Sequence, residues 1–234
     1  MFFQTPLISA RLIRRYKRFL ADIAFEDGSK EVAHCPNPGS MLGLCKPGSL
    51  IWVEPNTNPN KKLKFGWRLV ENENGSFVGI DTSAANRIIK EALIYRKISG
   101  LDCYDSFRPE VKYGVGSRVD FLLSKSDHKD IYLEIKSVTL TRKKGLAEFP
   151  DSPTERGLKH LHELAKVVDM GHRAVLLFLI QRTDCKQFQI AQDIDPAYAK
   201  GFEYALKKGV EILCLSCQVS PLTIDVDKEV PFTI

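Results

Sequence analysis

The sequence predicts an OB-like five-stranded β-barrel followed by an α/β domain. Two observations carry this prediction. Over the first ~80 residues, short alternating apolar and polar runs are separated by turn signals such as Asp27-Gly28 and Asn74-Gly75. After Ser83 the hydrophobic period lengthens, and helical stripes then alternate with apolar strands. Five short strands in so small a segment favour a closed barrel, and alternating helices and strands favour a partly parallel sheet.

The first strand reads as one long run, Leu12 to Phe25, closed by Glu26-Asp27-Gly28. Lys30 to His34 follows, then the loop from Cys35 to Ser40, then strands at Ser49 to Glu54, Lys62 to Glu71 and Ser76 to Ile80. A helix is expected from Ala84 to Ile98, ending before Gly100, with Ala84, Ile88, Tyr95 and Ile98 on one stripe. Glu91 falls inside that stripe, an odd place for a carboxylate. It either pairs on the helix surface with Arg87 or faces a site. Strands are expected at Phe107 to Tyr113, Arg118 to Leu123 and Ile131 to Thr139.

Ser152-Pro153-Thr154-Glu155 reads as a helix start with Ser152 as N-cap, Pro153 at the first position and Glu155 closing a capping box. Leu158, Leu161, Leu164, Ala165 and Val168 supply its apolar stripe, and Gly171 ends it. The apolar strand Arg173 to Ile180 comes next, then a short strand near Phe188, a helix around Ala197 to Lys208 and a strand from Val210 to Cys217.

Composition excludes several classes. The 234 residues are 44% hydrophobic and 27% charged, as in a globular chain of one or two domains with a real core. The longest apolar run, Ala174 to Ile180, is too short to span a bilayer. Met1 to Pro6 carries no charged leader, so the expected location is cytoplasmic, with no membrane partner. The six cysteines form no disulfide-like framework. Cys214 and Cys217 make a C-x-x-C without a second ligand pair, which fits a buried strand better than zinc.

Net charge is +5 and unevenly spread. Arg11, Arg14, Arg15, Lys17 and Arg18 form one cluster, and Lys61, Lys62, Lys64 and Arg68 another. Tyr16, Phe19, Phe65 and Trp67 lie among them, a mixture suited to tracking a nucleic-acid backbone. Ordinary solubilising charge is the alternative. Arg156, Lys159 and His160 occupy the first turns of the second helix, where free N–H groups already favour anions.

The chemistry is expected at the hairpin joining Ser117–Leu123 to Ile131–Val138. In a strand, residues two apart share a face, so Glu134 and Lys136 look out together among apolar neighbours. If the loop is symmetric about Asp127, Leu123 pairs with Ile131 and Asp120 falls opposite Glu134. Like charges placed there are destabilising. A divalent metal bridging Asp120 and Glu134 would relieve the repulsion, whereas a solvated strand face is the plain alternative.

Several motifs carry a family resemblance. They are Tyr16-Lys17-Arg18-Phe19-Leu20-Ala21-Asp22, His34-Cys35-Pro36-Asn37, Glu110-Val111-Lys112-Tyr113-Gly114, Lys136-Ser137-Val138-Thr139-Leu140, and Phe149-Pro150-Asp151 with Thr154-Glu155-Arg156-Gly157-Leu158-Lys159-His160-Leu161. The chain thereby resembles the sugar fermentation stimulation protein A family over nearly its whole length. Pro38 stands where the family usually has Thr, and Gly66 and Arg68 replace a Thr and an acidic residue.

The resemblance implies an OB-type barrel over residues 1–82 and a PD-(D/E)xK, restriction-endonuclease-like α/β domain over 83–234. It implies catalytic Asp120, Glu134 and Lys136, and a metal, Mg2+ or Mn2+, held by Asp120, Glu134 and Glu91. The partner would be DNA, single- or double-stranded, contacted by Arg14, Arg15, Lys17 and Arg18 of the barrel and by Arg156, Lys159 and His160. Two functions are open on this reading: a metal-dependent nuclease, or a DNA-binding regulator of sugar (maltose) metabolism with little or no nuclease activity. A sugar-handling enzyme finds no support, since no carboxylate pair stands beside an aromatic sugar platform.

Overall fold

The computed structural model describes residues 1–233. Six strands build the first unit: β1 (Ile8–Tyr16), β2 (Leu20–Ala24), β3 (Lys30–His34), β4 (Leu50–Pro55), β5 (Phe65–Glu71) and β6 (Phe77–Gly79). They run in the order β3-β2-β1-β4-β5-β6, and a parallel pairing of β3 with β5 closes β1–β5 into a five-stranded barrel. Leu12, Ile23, Ile51, Val53 and Trp67 fill it.

The single long strand expected from Leu12 to Phe25 is in fact two, folded back at Lys17-Arg18. Both residues sit in the left-handed region, at φ 48° and 61°, and Tyr16 pairs with Leu20 across the turn. That backbone is normally the province of Asn-Gly, so no turn signal marks it.

The second unit continues with α1 (Ala84–Ile94), β7 (Ser106–Tyr113), β8 (Ser117–Ser124), β9 (Ile131–Val138), β10 (Leu140–Lys143), β11 (Leu146–Phe149), α2 (Glu155–Asp169) and β12 (Arg173–Ile180). It ends with β13 (Gln187–Ile190), α3 (Pro196–Lys207), β14 (Glu211–Val219), β15 (Ile224–Glu229) and β16 (Phe232–Thr233). The main sheet has the order β15-β14-β12-β9-β8-β7, with β12 parallel to both β9 and β14. α1 covers one face through Ile88, Ile89 and Leu93 against Leu133, Ile135 and Leu177. α2 and α3 cover the other through Leu161, Leu164 and Phe202 against Leu176 and Phe178. Central β12 is therefore buried on both faces, which explains its unbroken apolar run.

Two further expectations change, and the buried strand expected at Cys214 and Cys217 is found. α1 stops at Ile94, leaving Tyr95 65% exposed rather than in the stripe. The N-cap of α2 is Thr154, whose hydroxyl accepts from Gly157 N, and Ser152 lies outside the helix. Cys214 and Cys217 are buried in different cores on β14, since positions three apart in a strand face opposite ways.

The barrel is tied to the α/β unit on both sides. Met1 belongs to the core under α1, while Gln4 N donates to Glu54 of the barrel at 2.6 Å. At the other junction, buried Asp81 accepts from Arg68 at 2.6 Å and from Arg87 at 3.1 Å, and Arg68 also pairs with Glu54. Arg68 is thus part of a partly buried ion network rather than of a basic surface.

Candidate metal centre and nucleic-acid cleft

The β8–β9 hairpin has the register expected from its loop: Leu123 pairs with Ile131, Leu122 with Tyr132 and Phe121 with Leu133. Beyond that pair the strands splay. Asp120 fills the gap, its carboxylate accepting the Ile135 N–H at 2.7 Å and the Asn86 amide of α1 at 2.7 Å. Burial, reinforced by the charge of Glu134, pushes the Asp120 carboxyl up to about 6 despite those two donors and Lys136. The two carboxylates are thus close enough to repel.

Glu134 is 3% exposed. Its Oε1 accepts from Lys136 Nζ at 2.8 Å and contacts His160 Nδ1 on α2. Burial pushes its carboxyl up, yet Lys136 and His160 outweigh burial and hold it below the ordinary glutamate value. All partners fall on one oxygen. The other, Oε2, is buried and has none.

An unpartnered buried acceptor costs about 1–3 kcal/mol, more when charged. A splayed carboxylate pair with one bare oxygen is the donor chemistry a hard divalent cation takes. Among the described residues no group of three or more His, Cys, Asp or Glu side chains surrounds one metal position. Two carboxylates alone would leave most coordination positions of a hard divalent cation to water or other oxygen donors. Tyr113 hydroxyl and Glu163 Oε2 are also buried without partners, and burial plus the charges of Glu134, Glu163 and Asp120 drive the Tyr113 phenol far upward.

The other expected site residues fare differently. Glu91 is a correction: its carboxylate pairs with the Met1 ammonium at 3.0 Å. The α1 side chain that reaches Asp120 is Asn86, five residues earlier, which sequence reasoning passed over because it sought a third acid. His160 is also corrected. It is 4% exposed and holds Glu134, with Arg156 Nε 3.5 Å from its other ring nitrogen. Lys159 donates to Val115 O at 2.7 Å.

In the barrel, Arg14 pairs with Asp22 at 2.6 Å and lies over the Tyr16 ring. Arg15 is consumed by four carbonyls, those of Arg18, Asn37, Gly39 and Ser40. The same guanidinium braces the Lys17-Arg18 turn and the loop below it. Lys17 and Arg18 are left exposed at the tip. A cleft of about 430 Å³ separates this tip from the α/β unit and is lined by Arg18, Asn37, Gly39, Lys136, Ser137 and Asp151. Of the Asp120, Glu134 and Lys136 set only Lys136 lines this cleft, and a larger groove, about 840 Å³, holds none of the three. Its buried Arg182 is tied to Asp184 and Thr139 O.

Comparison with known proteins agrees with this layout. The description SfsA N-terminal OB domain matches residues 13–80, and Sugar fermentation stimulation protein RE domain matches residues 83–223. A sugar fermentation stimulation protein homolog of Ruegeria pomeroyi is 60% identical over 97% of this chain and 98% of its own length. One from Roseobacter denitrificans is 57% identical over the full length of both. Among solved structures, Pyrococcus furiosus SfsA in complex with Ca2+ superposes with a TM-score of 0.89 at 26% identity, covering 100% of this chain and 98% of that one. No helix is long and apolar enough to cross a membrane among the described residues.

Proposed function

The chain belongs to the sugar fermentation stimulation protein family, and on that premise we propose that it is a DNA-binding, divalent-metal-dependent nuclease of the cytoplasm. The observation that carries the reading is the carboxylate pair itself: Asp120 accepting between the splayed strands and pushed up by burial and by the charge of Glu134, and Glu134 Oε2 buried and bare. Support also comes from the Ca2+ bound by the Pyrococcus relative. On this reading residues 1–82 hold nucleic acid and residues 83–234 carry the chemistry, with the cleft between them as the path.

Asp120 and Glu134 would hold Mg2+ or Mn2+. When bound, such an ion lowers the pKa of a coordinated water and neutralises charge on the phosphoryl oxygens. The protein's own groups then divide the work. Lys136, fixed by Glu134 and lining the cleft, places an ammonium beside the scissile phosphate and balances its developing negative charge. The oxygen of the attacking water bonds to phosphorus while the ester P–O bond opposite breaks. The water gives up one proton, and the departing alkoxide takes one up. Lys17 and Arg18 contact flanking phosphates from the barrel side.

The test is incubation of labelled single- and double-stranded DNA with wild type and Asp120→Asn, in Mg2+, in Mn2+ and in chelator. Wild type cuts only with metal, and Asp120→Asn loses cleavage by orders of magnitude while still binding DNA. If both proteins bind DNA and are equally inert on every substrate, the DNA-binding regulator replaces the nuclease.

A further inference from the structure

The β7–β8 hairpin lies at the edge of the main sheet, and its tip is built in an unusual way. Lys112 pairs directly with Arg118 across the ladder. Like charges in that position are destabilising, and cross-strand Cβ atoms stand only about 5 Å apart. Both side chains are exposed, and neither has a salt bridge or hydrogen bond among the described residues.

Two residues further on, Gly114-Val115-Gly116 turns the chain and leaves Val115 78% exposed. The tip is nevertheless anchored. Val115 N donates to buried Glu163 Oε1 at 3.1 Å, and Val115 O accepts from Lys159 at 2.7 Å, so both polar groups of one residue are pinned to α2. Gly114 permits this approach: it has φ +54°, and a Cβ there would lie 2.8 Å from Glu163 Oε1.

Charge on an edge strand also discourages sheet-to-sheet pairing. Arg108, Pro109 and Lys112 on β7 already serve that purpose. It explains neither Arg118, on the inner strand, nor the double pin. Two long unpaired cations side by side behind an anchored, exposed apolar tip can diverge to phosphates on either side of a groove while the tip enters it. Single-strand surfaces instead present exposed aromatic platforms, and this tip has none.

We infer that the β7–β8 hairpin is an arm that grips double-stranded nucleic acid, with Lys112 and Arg118 on phosphates either side of a groove and Val115 against its floor. The inference rests on the nuclease reading and gives that site its substrate class. Arg118 lies two residues before Asp120, so a duplex held by the arm is led to the carboxylate pair.

The experiment measures binding of a labelled duplex and of the same single strand across a salt series, without metal, for wild type, Lys112→Ala/Arg118→Ala and Val115→Asp. Losing two phosphate contacts should flatten the duplex slope of log K against log salt by about 1.8. Val115→Asp should weaken duplex binding and leave single-strand binding unchanged. Unfolding temperature should fall in no variant and should rise slightly in the double variant, where the Lys112–Arg118 repulsion is gone, while calorimetric Mn2+ binding should match wild type. A double variant with the wild-type slope overturns the arm and leaves the nuclease reading intact. Wild type that binds no DNA overturns both.

Discussion

His160 shows how one side chain sets the character of its neighbour. With Lys136 and His160 both on Oε1, Glu134 presents its other oxygen, and the imidazole must do so through Nδ1. Asparagine can place an amide N–H near the Nδ1 position and glutamine only near Nε2. His160→Asn should therefore keep near-native Mn2+ affinity in a calorimetric titration, whereas His160→Gln should lose 10–100-fold, the usual cost of removing a group that orients a ligand. The reverse ranking would show that Nε2 does the orienting. The nearness of Asp120, Glu134 and Lys136 was legible because strand period and loop symmetry bring them together, although Asp120 accepts from Ile135 N–H instead of pairing with Glu134 in the ladder. Glu91 was misread because sequence cannot say which side of α1 meets the hairpin. Five residues turn a helix about 140°, enough to exchange Asn86 for Glu91. His160 had a usable signal: it precedes Leu161 by one residue and Leu164 by four, on the apolar stripe rather than the solvent face.

Among elements, the long apolar strands and all three helices were legible from periodicity, and β10 and β11 were not. Leu140-Thr141-Arg142-Lys143 carries too much charge to read as a strand, and its stability comes from one ion cluster. Arg142 donates to buried Glu148 at 2.7 and 2.9 Å and to Asp193 at 2.5 Å. Hydrogen bonds from Arg142 hold Glu148 below its ordinary value against burial, and pull Asp193 down to about 2. A folded-state carboxylate pKa below the unfolded one adds stability that is present above the unfolded value and lost as pH falls through the folded value. Arg142→Ala leaves the buried Glu148 charge with only neutral donors, the Gln189 amide and the backbone N–H of residue 142, so it should cost about 2–4 kcal/mol in denaturant unfolding at pH 7. At pH near 2 the gap to wild type should narrow. A constant gap would assign the loss to packing of the arginine stem. The turn inside β1–β2 escaped notice for a related reason: a bracing Arg15 replaces the expected glycine.

For the whole molecule, the order of barrel and α/β unit was legible, because the change of hydrophobic period falls between them. Their mutual fastening was not, since it depends on single atoms far apart in sequence. Asp151 is one such point, accepting from Met41 N at 3.1 Å and from Ser40 at the rim of the cleft. Gly39 has no room for a side chain there: a Cβ would lie 2.4 Å from that carboxylate. Gly39→Ala should cost about 1–3 kcal/mol by overpacking. The same change in an Asp151→Ala background should cost much less, so a double-mutant cycle by denaturant unfolding should give clear coupling. Additive costs would mean the loop relaxes without regard to Asp151. Mechanics follows from the two junctions. A body hung from one covalent point can turn about three axes, and one hung from two keeps a single axis through both. The barrel leaves the α/β unit near Leu7 and returns at Asp81, and Glu54 and Arg68 knit those points together. A third line of attachment removes that axis too. In β6, Gly79 N–H donates to Gln181 O at 2.8 Å and Phe77 O accepts from Thr183 N–H at 3.2 Å. The barrel therefore stands as a fixed wall of the cleft, with Asp151 fastening its rim.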